Sequence, residues 1–295
     1  MLRRASGIIA PFGKISKLNS IGIMQGRLSP DPDNRIQFFP KDTWEDEFHL
    51  AAQCGFEEIE LTMDLDGWQD HPVMTENGRG RLQSHIASSG VKASVLCCDL
   101  FMKAPFFGVD RSKIDSHFQM LRQIISSCKD AGIELLEIPV IADARIKDET
   151  DSSCLSKGLS DCLDHADEHG VRLALETDLP PVPFRELLEG FNGRVGANYD
   201  TGNSVFFGYD PIEEMAELKD FIWNIHIKDC NRSEVYRNVP LGEGDADFAT
   251  CFDLFAKTGY DGSFILQTAR MKDDVEAASR FLTFTRQKLE SHFIT

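Results

Sequence analysis

Four polar residues stand at the carboxyl ends of four successive apolar runs in the second half of the chain. They are Glu176 in ALETD, Asp200 in NYDTGN, His226 in NIHIKD and Gln267 in ILQTAR. Two carboxylates, an imidazole and an amide oxygen form a ligand set that suits Mn, Mg or Co and tolerates Zn. Carboxylates inside apolar segments are costly to bury, and a bound cation would offset that cost. Any one of these residues is as readily explained by a structural role, but their recurrence predicts a divalent metal site.

These four ends can meet only if parallel strands bring them together, and the chain has the required alternation of elements. Eight short, nearly continuous apolar runs alternate with amphipathic stretches, as expected for covered strands and the helices between them. The predicted strands are IGIMQG near residue 21, EEIELTMD near 58, KASVLCCD near 92, LLEIPVIA near 135, RLALETD near 172, VGANYD near 195, IWNIHIKD near 222 and SFILQTAR near 263. The alternation predicts an α/β fold, the (β/α)8 TIM barrel, whose strands all end at one mouth. An open doubly wound sheet is the alternative, but IGIMQGRLS does not match the GxGxxG phosphate loop of that fold.

The helical stretches have recognisable ends, and irregular pieces follow several strands. TWEDEFHLAAQCG has Thr43 as its predicted N-cap and ends at Gly55. Further helices are predicted over 112–131, 152–169 and 272–291. The longest irregular pieces are 28–41, 64–75 and 98–111. Each follows a predicted strand, where the active-site loops of a barrel belong.

The length suits one large α/β barrel or two ordinary domains, and the composition is normal for a soluble globular protein. The chain has 295 residues, 31 basic and 48 acidic, with a formal net charge of −17. We predict an N-terminal extension over residues 1–19 and one catalytic barrel domain over 20–295. No run approaches the roughly 20 apolar residues that span a membrane, and the start of the chain is too broken for a secretory signal. The acidic balance disfavours nucleic acid as a partner.

The eight cysteines form no CxxC pair, so a structural zinc knuckle is not expected. Several of them lie in apolar runs, such as Cys97 and Cys98 in ASVLCCDL. We therefore expect buried, reduced thiols in a cytoplasmic protein.

From about residue 20 to residue 290 the sequence resembles the sugar-phosphate isomerase/epimerase group of xylose isomerase-like TIM barrels. The motifs IGIMQGRLSP, GFEEIEL, ALETD, NYDTGN, HIKD and LGEGDADF carry the resemblance. It implies a metal-dependent isomerase or epimerase that converts a small sugar or sugar phosphate through an enediolate. It also implies that Glu176, Asp200 and His226 bind the divalent metal, and that the chain forms a homodimer or tetramer.

The sequence departs from the family pattern at the last strand. The family's fourth ligand is usually a glutamate, which in ketose 3-epimerases also exchanges a proton, whereas this chain has Gln267. An amide can bind a metal through its oxygen but cannot accept a proton, so a symmetrical two-base epimerase is doubtful. Our hypothesis makes Glu176 both ligand and base. Other acids that could replace the missing base are Glu243 in the LGEGD loop and Glu137, Glu60, Asp99 and Asp229 at or near strand ends.

Substrate-binding residues are predicted near the same mouth. Arg232 and Arg237 flank the loop before LGEGD and could bind a phosphate or carboxylate, although either could equally pair with surface acids. The other candidates are Lys228, Asp229 and Trp68.

Two other functions stay open. One is a metal-dependent dehydratase of an inositol-like ketone, and the other is a non-catalytic barrel that binds metal or sugar, which Gln267 motivates. An endonuclease role is disfavoured by the acidity and by the shortage of strand-end histidines.

Overall fold

The structure, a computed structural model, describes residues 18–31, 33, 35–233 and 238–293. Its centre is a closed barrel of parallel strands in the order β1-β10-β7-β6-β5-β4-β3-β2. The barrel strands are β1 (Ile21–Met24), β2 (Glu58–Thr62), β3 (Val95–Cys97), β4 (Leu135–Val140), β5 (Arg172–Thr177), β6 (Val195–Asp200), β7 (Ile222–Ile227) and β10 (Phe264–Leu266). A short antiparallel pair, β8 (Asp229–Cys230) and β9 (Asn238–Val239), lies between β7 and β10. The predicted (β/α)8 barrel is therefore confirmed, and each predicted run contains one barrel strand.

Helices cover the outside of the barrel. In the described ranges they are α1 (Trp44–Cys54), α2 (Glu76–Ser89), α3 (Leu100–Lys103), α4 (Arg111–Ala131), α5 (Glu149–His169), α6 (Pro181–Glu189), α7 (Thr201–Phe207), α8 (Pro211–Leu218), α9 (Phe248–Thr258) and α10 (Asp274–Phe293). Because they pack on the outer face while side chains fill the interior, β4 and β6 are buried along their whole length. This explains why the strands appear as continuous apolar runs rather than alternating ones.

The ends of helix α1 lie at the predicted residues, but the predicted capping hydrogen bond is not formed. Gly55 follows α1 with a φ of 92°, the left-handed conformation that glycine adopts without strain. Thr43 lies at the N-cap position of α1, but its hydroxyl accepts no hydrogen bond from the first turn of the helix and instead donates to Ser29 Oγ at 2.8 Å. Helix α2 has a weak signal in the sequence, because Gly78 and Gly80 lie within it and few apolar residues mark a face.

The predicted N-terminal extension lies mostly outside the described residues, which begin at Leu18. Leu18 packs partly against the core, and the Asn19 amide donates to the carbonyl oxygens of Tyr260 and Gly262 at 2.9 and 2.8 Å. The end of the extension therefore contacts the barrel before β1 begins. The boundary at residue 19 stays a prediction.

No helix within the described residues is both long enough and apolar enough to cross a membrane. All eight cysteines are free, as predicted.

Candidate active site

A cavity of about 230 Å³ opens at the carboxyl ends of the barrel strands. Its polar lining comes from five strand ends and the loop after β1, and consists mainly of Gln37, Asp99, Glu176, Asn203, Lys228 and Gln267. Its apolar lining includes Ile36, Met102, Ile141, Phe206 and Phe207. Two of the predicted active-site loops, 28–41 and 98–111, thus contribute to the cavity, as expected for a barrel of this kind.

Glu176, Asp200 and His226, which we call the mouth cluster, meet where Glu176 lines this cavity. They stand at the ends of three neighbouring strands, β5, β6 and β7, and all three are buried. Each offers one ligand atom, and these atoms lie within 4.8 Å of one another. His226 Nδ1 is 3.7 Å from Glu176 Oε2 and 4.0 Å from Asp200 Oδ2. The three groups are close enough to share one cation.

Glu60, on strand β2 across the barrel, orients His226. Its Nε2 is 3.1 Å from Glu60 Oε1, and Asn224 donates to Glu60 Oε2 at 2.8 Å. The Glu60 carboxylate accepts the Nε2 proton, and Nδ1, which lies 3.0 Å from Asn198 Nδ2, is the atom that faces Glu176 and Asp200. Burial lowers the pKa of His226, but the carboxylates of Glu60, Glu176 and Asp200 outweigh this and raise it above its ordinary value.

Two asparagines hold the carboxylate of Glu176. Asn198 Nδ2 donates to Glu176 Oε2 at 2.8 Å, and Asn203 Nδ2 donates to Glu176 Oε1. Burial, followed by the neighbouring carboxylate of Asp200, raises the pKa of Glu176. A buried carboxylate with a raised pKa and a fixed orientation has the properties of a general base.

Asp200 is shared between a helix and a lysine. Its Oδ1 accepts from the backbone N–H groups of Gly202 and Asn203 at 2.8 and 2.9 Å, so Asp200 is the N-cap of α7. Its Oδ2 is 2.7 Å from Lys228 Nζ. The same ammonium donates to Asn203 Oδ1 at 2.8 Å and to Gln267 Oε1 at 2.9 Å. Lys228 therefore contacts two of the four predicted metal ligands.

Gln267 belongs to a hydrogen-bonded chain that crosses the cavity. Its amide donates to Gln37 Oε1 at 3.0 Å, and Gln37 Nε2 donates to Asp99 Oδ2 at 2.7 Å. Burial is the largest influence on Asp99 and raises its pKa to about 6. Among the described residues that line the cavity, Asp99 and Glu176 are the two carboxylates.

The other acids named from the sequence lie elsewhere. Glu243 is exposed and does not line the cavity. Asp229 is fully buried, and its carboxylate accepts backbone N–H groups of the 242–246 loop and of its own neighbour. Asp229 thus holds the LGEGD loop rather than facing a substrate. Glu60 and Glu137 are fully buried in the barrel interior and do not line the cavity.

The predicted substrate-binding residues differ in whether they line the cavity. Lys228 lines the cavity, but Arg232 is exposed and outside its lining, and its backbone N–H donates to Asp245. Trp68 packs in the hydrophobic core and does not contribute to the cavity wall. Arg237 lies outside the described residues.

Comparison with known families agrees with this geometry. A sequence profile described as the xylose isomerase-like TIM barrel matches residues 48–287. The chain belongs to the xylose isomerase-like TIM barrel family. Both the predicted family and the predicted fold are confirmed. The cytoplasmic location and the dimeric or tetrameric state stay predictions.

Several relatives within this family are sugar epimerases by name. The L-ribulose-5-phosphate 3-epimerase UlaE of Salmonella typhi is 26% identical over 242 residues, covering 77% of this chain and 82% of the relative. A solved L-ribulose 3-epimerase matches with a TM-score of 0.75 and 18% identity, over 93% of this chain and 96% of the other. The IolI protein, solved with a bound zinc atom, matches with a TM-score of 0.71 and 16% identity, over 94% and 100% of the two chains.

Sequence reasoning missed the amide side chains that position the acids, namely Asn198, Asn203, Asn224 and Gln37. A signal was present for two of them. Asn198 and Asn224 stand inside strands, where asparagine is uncommon, and an asparagine in a buried strand must find hydrogen-bond partners. Gln37 carried no such signal, because it lies in an irregular loop.

Proposed function

We propose that this family member is a metal-dependent isomerase or epimerase that acts on a small sugar or sugar phosphate through an enediolate. The observation that carries the proposal is the mouth cluster, with three ligand atoms within 4.8 Å of one another and with Glu176 in the lining of the cavity at the barrel mouth. The relatives named as ribulose and ribulose-phosphate 3-epimerases favour a sugar as substrate. The zinc atom in the IolI structure favours a cation at the mouth.

The donor set fits a divalent ion. Glu176, Asp200 and His226 would be its ligands, and Gln267 could contribute its amide oxygen once Lys228 moves aside. Bound Mn, Mg, Co or Zn supplies a Lewis acid for a substrate carbonyl and for the oxyanion that forms from it. Lys228 places its positive charge beside oxygens of Asp200 and Gln267, and it can donate a hydrogen bond to a substrate oxygen.

Glu176 is the proposed base. Its carboxylate removes a proton from the carbon beside the substrate carbonyl, and the electron pair of the broken C–H bond forms the enediolate double bond. Returning the proton to the neighbouring carbon, while the hydroxyl proton passes to the former carbonyl oxygen, completes an aldose–ketose isomerisation, so one base is sufficient for the carbon-bound proton. Asn198 and Asn203 hold both carboxylate oxygens and limit the rotation of Glu176 during the transfer.

Epimerisation needs a second group that delivers a proton to the opposite side of the carbon, and Gln267 cannot supply it. We propose Asp99 for that role, because it lines the cavity and its pKa of about 6 lets it be protonated near neutral pH. Asp99→Asn should abolish epimerisation yet leave proton exchange by Glu176 in place. Asp64→Asn is the matched control, since Asp64 accepts a backbone N–H of the neighbouring loop outside the cavity lining. Equal losses in both variants would contradict the role of Asp99.

The main experiment follows solvent proton exchange. The protein is stripped with a chelator, reloaded separately with Mn, Mg, Co or Zn, and incubated in D2O with a panel of ketoses and their phosphates. We expect deuterium at a carbon beside the carbonyl, loss of exchange after stripping, and recovery on reloading. Mass spectrometry and NMR identify the labelled carbon and the product.

Each alternative gives a different result. Loss of water from a cyclic ketone without return of label to the substrate would indicate the dehydratase, for which Asp99 could protonate the leaving hydroxyl. Bound metal without exchange or turnover across the panel would contradict catalysis and favour a binding protein. Exchange that is unchanged by stripping would contradict metal dependence.

A further inference from the structure

A second group of metal-ligand side chains lies in the other half of the barrel. Glu60, Cys97 and Glu137, which we call the interior cluster, stand on the adjacent strands β2, β3 and β4. Each offers a ligand atom, and these atoms lie within 4.8 Å of one another. The strand register pairs Glu137 with Ala174, two residues before Glu176, so the interior cluster lies deeper than the mouth cluster.

Glu137 is the observation that sets this cluster apart. It is completely buried, and neither of its carboxylate oxygens has a hydrogen-bond partner. Burying a carboxylate without partners is strongly unfavourable, so such a group is neutral or neutralised by a cation. Burial raises the pKa of Glu137 and that of the Cys97 thiol well above their ordinary values.

The neighbours of Glu137 do not supply the missing charge. The oxygens of Glu60 contact His226 Nε2 and Asn224 Nδ2 on the far side of the barrel. The Cys97 thiol is 3.2 Å from Asp99 Oδ1, another acceptor. Two carboxylates and a thiol thus share one buried space, and no lysine or arginine side chain of the described residues forms an ion pair with Glu60 or Glu137.

We propose that the interior cluster binds a divalent ion that prefers thiolate, such as Zn²⁺, through Glu60, Cys97 and Glu137. One thiolate with two carboxylates suits zinc or cobalt better than magnesium or calcium. The ligands of a tetrahedral zinc ion lie up to about 3.8 Å apart at bonds of about 2.0–2.3 Å. On binding, the three ligand atoms must move closer together than the 4.8 Å that bounds their present separations. Binding releases the protons of the Cys97 thiol and of the Glu137 carboxylic acid to solvent.

The ion has a route to this site. Cys97 contributes to the lining of the mouth cavity, and its sulfur also lies 3.7 Å from Gln37 Nε2 in the loop after β1. The interior cluster can therefore be loaded from the cavity without opening the barrel. The proposal does not depend on the proposed sugar chemistry, because no residue of the interior cluster belongs to the mouth cluster.

Cobalt substitution tests the proposal, because a thiolate bound to Co²⁺ gives a charge-transfer band in the near ultraviolet. The stripped full-length protein is titrated with Co²⁺, the band is recorded, and bound cobalt is counted by elemental mass spectrometry. We expect two ions per chain and a thiolate band. In Cys97→Ser the band should disappear, and one ion should remain.

Two control variants separate the sites. Cys98→Ser removes the adjacent buried thiol and should keep the band, because Cys98 is not in the cluster. Asp200→Asn weakens the mouth cluster and should also keep the band, so failure of the mouth site would not imitate failure of the interior site. Circular dichroism confirms folding, and Glu137→Gln, with one ion fewer per chain, gives a second test if Cys97→Ser does not fold.

A wild-type protein without a thiolate band, or a band that survives Cys97→Ser, would overturn the proposal. So would an unchanged ion count in Glu137→Gln, because Glu137 would then be a buried neutral acid with no part in metal binding.

Discussion

The two halves of the barrel carry similar acidic groups in different surroundings. In the mouth cluster, on β5 to β7, both oxygens of Glu176 accept hydrogen bonds from asparagine amides, and Lys228 contacts Asp200. In the interior cluster, on β2 to β4, Glu137 has no donor at all. The comparison shows that burial alone does not prepare a carboxylate for chemistry. Donors that hold its orientation, and an opening to a cavity, make the difference.

Glu60 joins the two regions. It belongs to the interior cluster, yet it accepts the Nε2 proton of His226 and thereby orients a residue of the mouth cluster. The two halves are connected across the barrel by the hydrogen bonds of Glu60 with His226 and Asn224. Substitutions in the two clusters test how much their buried acids differ and whether Glu60 couples one cluster to the other.

The largest effect is expected at Glu176. Glu176→Gln keeps the shape of the side chain, but it holds the contact with the Asn198 amide less well than the carboxylate does. The glutamine amide also cannot accept a proton. We expect kcat/KM for the converted sugar to fall by about 10²- to 10⁴-fold. The measurement is steady-state turnover with metal content checked in parallel. Glu243→Gln, an exposed acid, is the control and should change turnover less than twofold. Full activity in Glu176→Gln would contradict the proposal that Glu176, unlike the other buried acids, is the base.

Glu47 provides an intermediate case, because it is buried but accepts backbone N–H bonds from Gly26 and Leu28. Burial raises its pKa from 4.5 to about 7. Below pH 4.5 both the folded and unfolded chains are protonated at Glu47, so it has no effect on stability there. As pH rises to about 7 the unfolded chain loses the proton first, and stability falls by up to about 1.4 kcal/mol per pH unit.

Glu47→Gln should remove this decline. Denaturant unfolding at several pH values should show the wild type losing roughly 3 kcal/mol relative to the variant across that window. If the stability of both proteins changed with pH in the same way, two backbone donors would be enough to keep a buried carboxylate charged. That result would weaken the contrast with Glu137.

The hydrogen bond from His226 to Glu60 should matter less than Glu176 itself. Glu60→Gln removes the negative charge that makes the imidazole a better ligand, and we expect metal affinity at the mouth to fall by about 10- to 100-fold. Titration calorimetry of the reloaded protein measures it. Cys97→Ser changes a ligand of the interior cluster that contacts Asp99 and Gln37 but no residue of the mouth cluster, and it should leave that affinity within about twofold. Equal losses in the two variants would mean that the clusters are not separable.

The smallest effect concerns Lys228, whose ammonium contacts Asp200 and Gln267. Lys228→Met removes a positive charge that competes with a metal ion for these oxygens. We expect metal at the mouth to bind about tenfold tighter, while turnover falls because a donor to the substrate is lost. A conservative Lys228→Arg variant is the control for charge. Weaker metal binding in Lys228→Met would show that the lysine supports the site instead of competing with it.

Much of this arrangement could be predicted from the sequence. The eight strands and the positions of Glu176, Asp200 and His226 at their ends follow from the apolar runs, because parallel strands of a barrel end at one mouth. The unequal roles of the acids could not be predicted. Asp229 and Asp99 both stand just after strands, yet one accepts backbone N–H groups of a loop and the other lines the cavity. Loop conformation decides this, and the sequence gives little information on loop conformation.

By itself, the sequence determined the barrel strands and the strand-end positions of the three residues of the mouth cluster, because apolar runs and helix ends are local properties that short segments express. Only the tertiary structure decided which groups meet across the barrel. Glu60 reaches His226 over a separation of 166 residues, and Glu137, whose carboxylate oxygens have no hydrogen-bond partner, meets Glu60 and Cys97 from two other strands. Such contacts depend on how distant strands pack around one axis, and no local pattern encodes them.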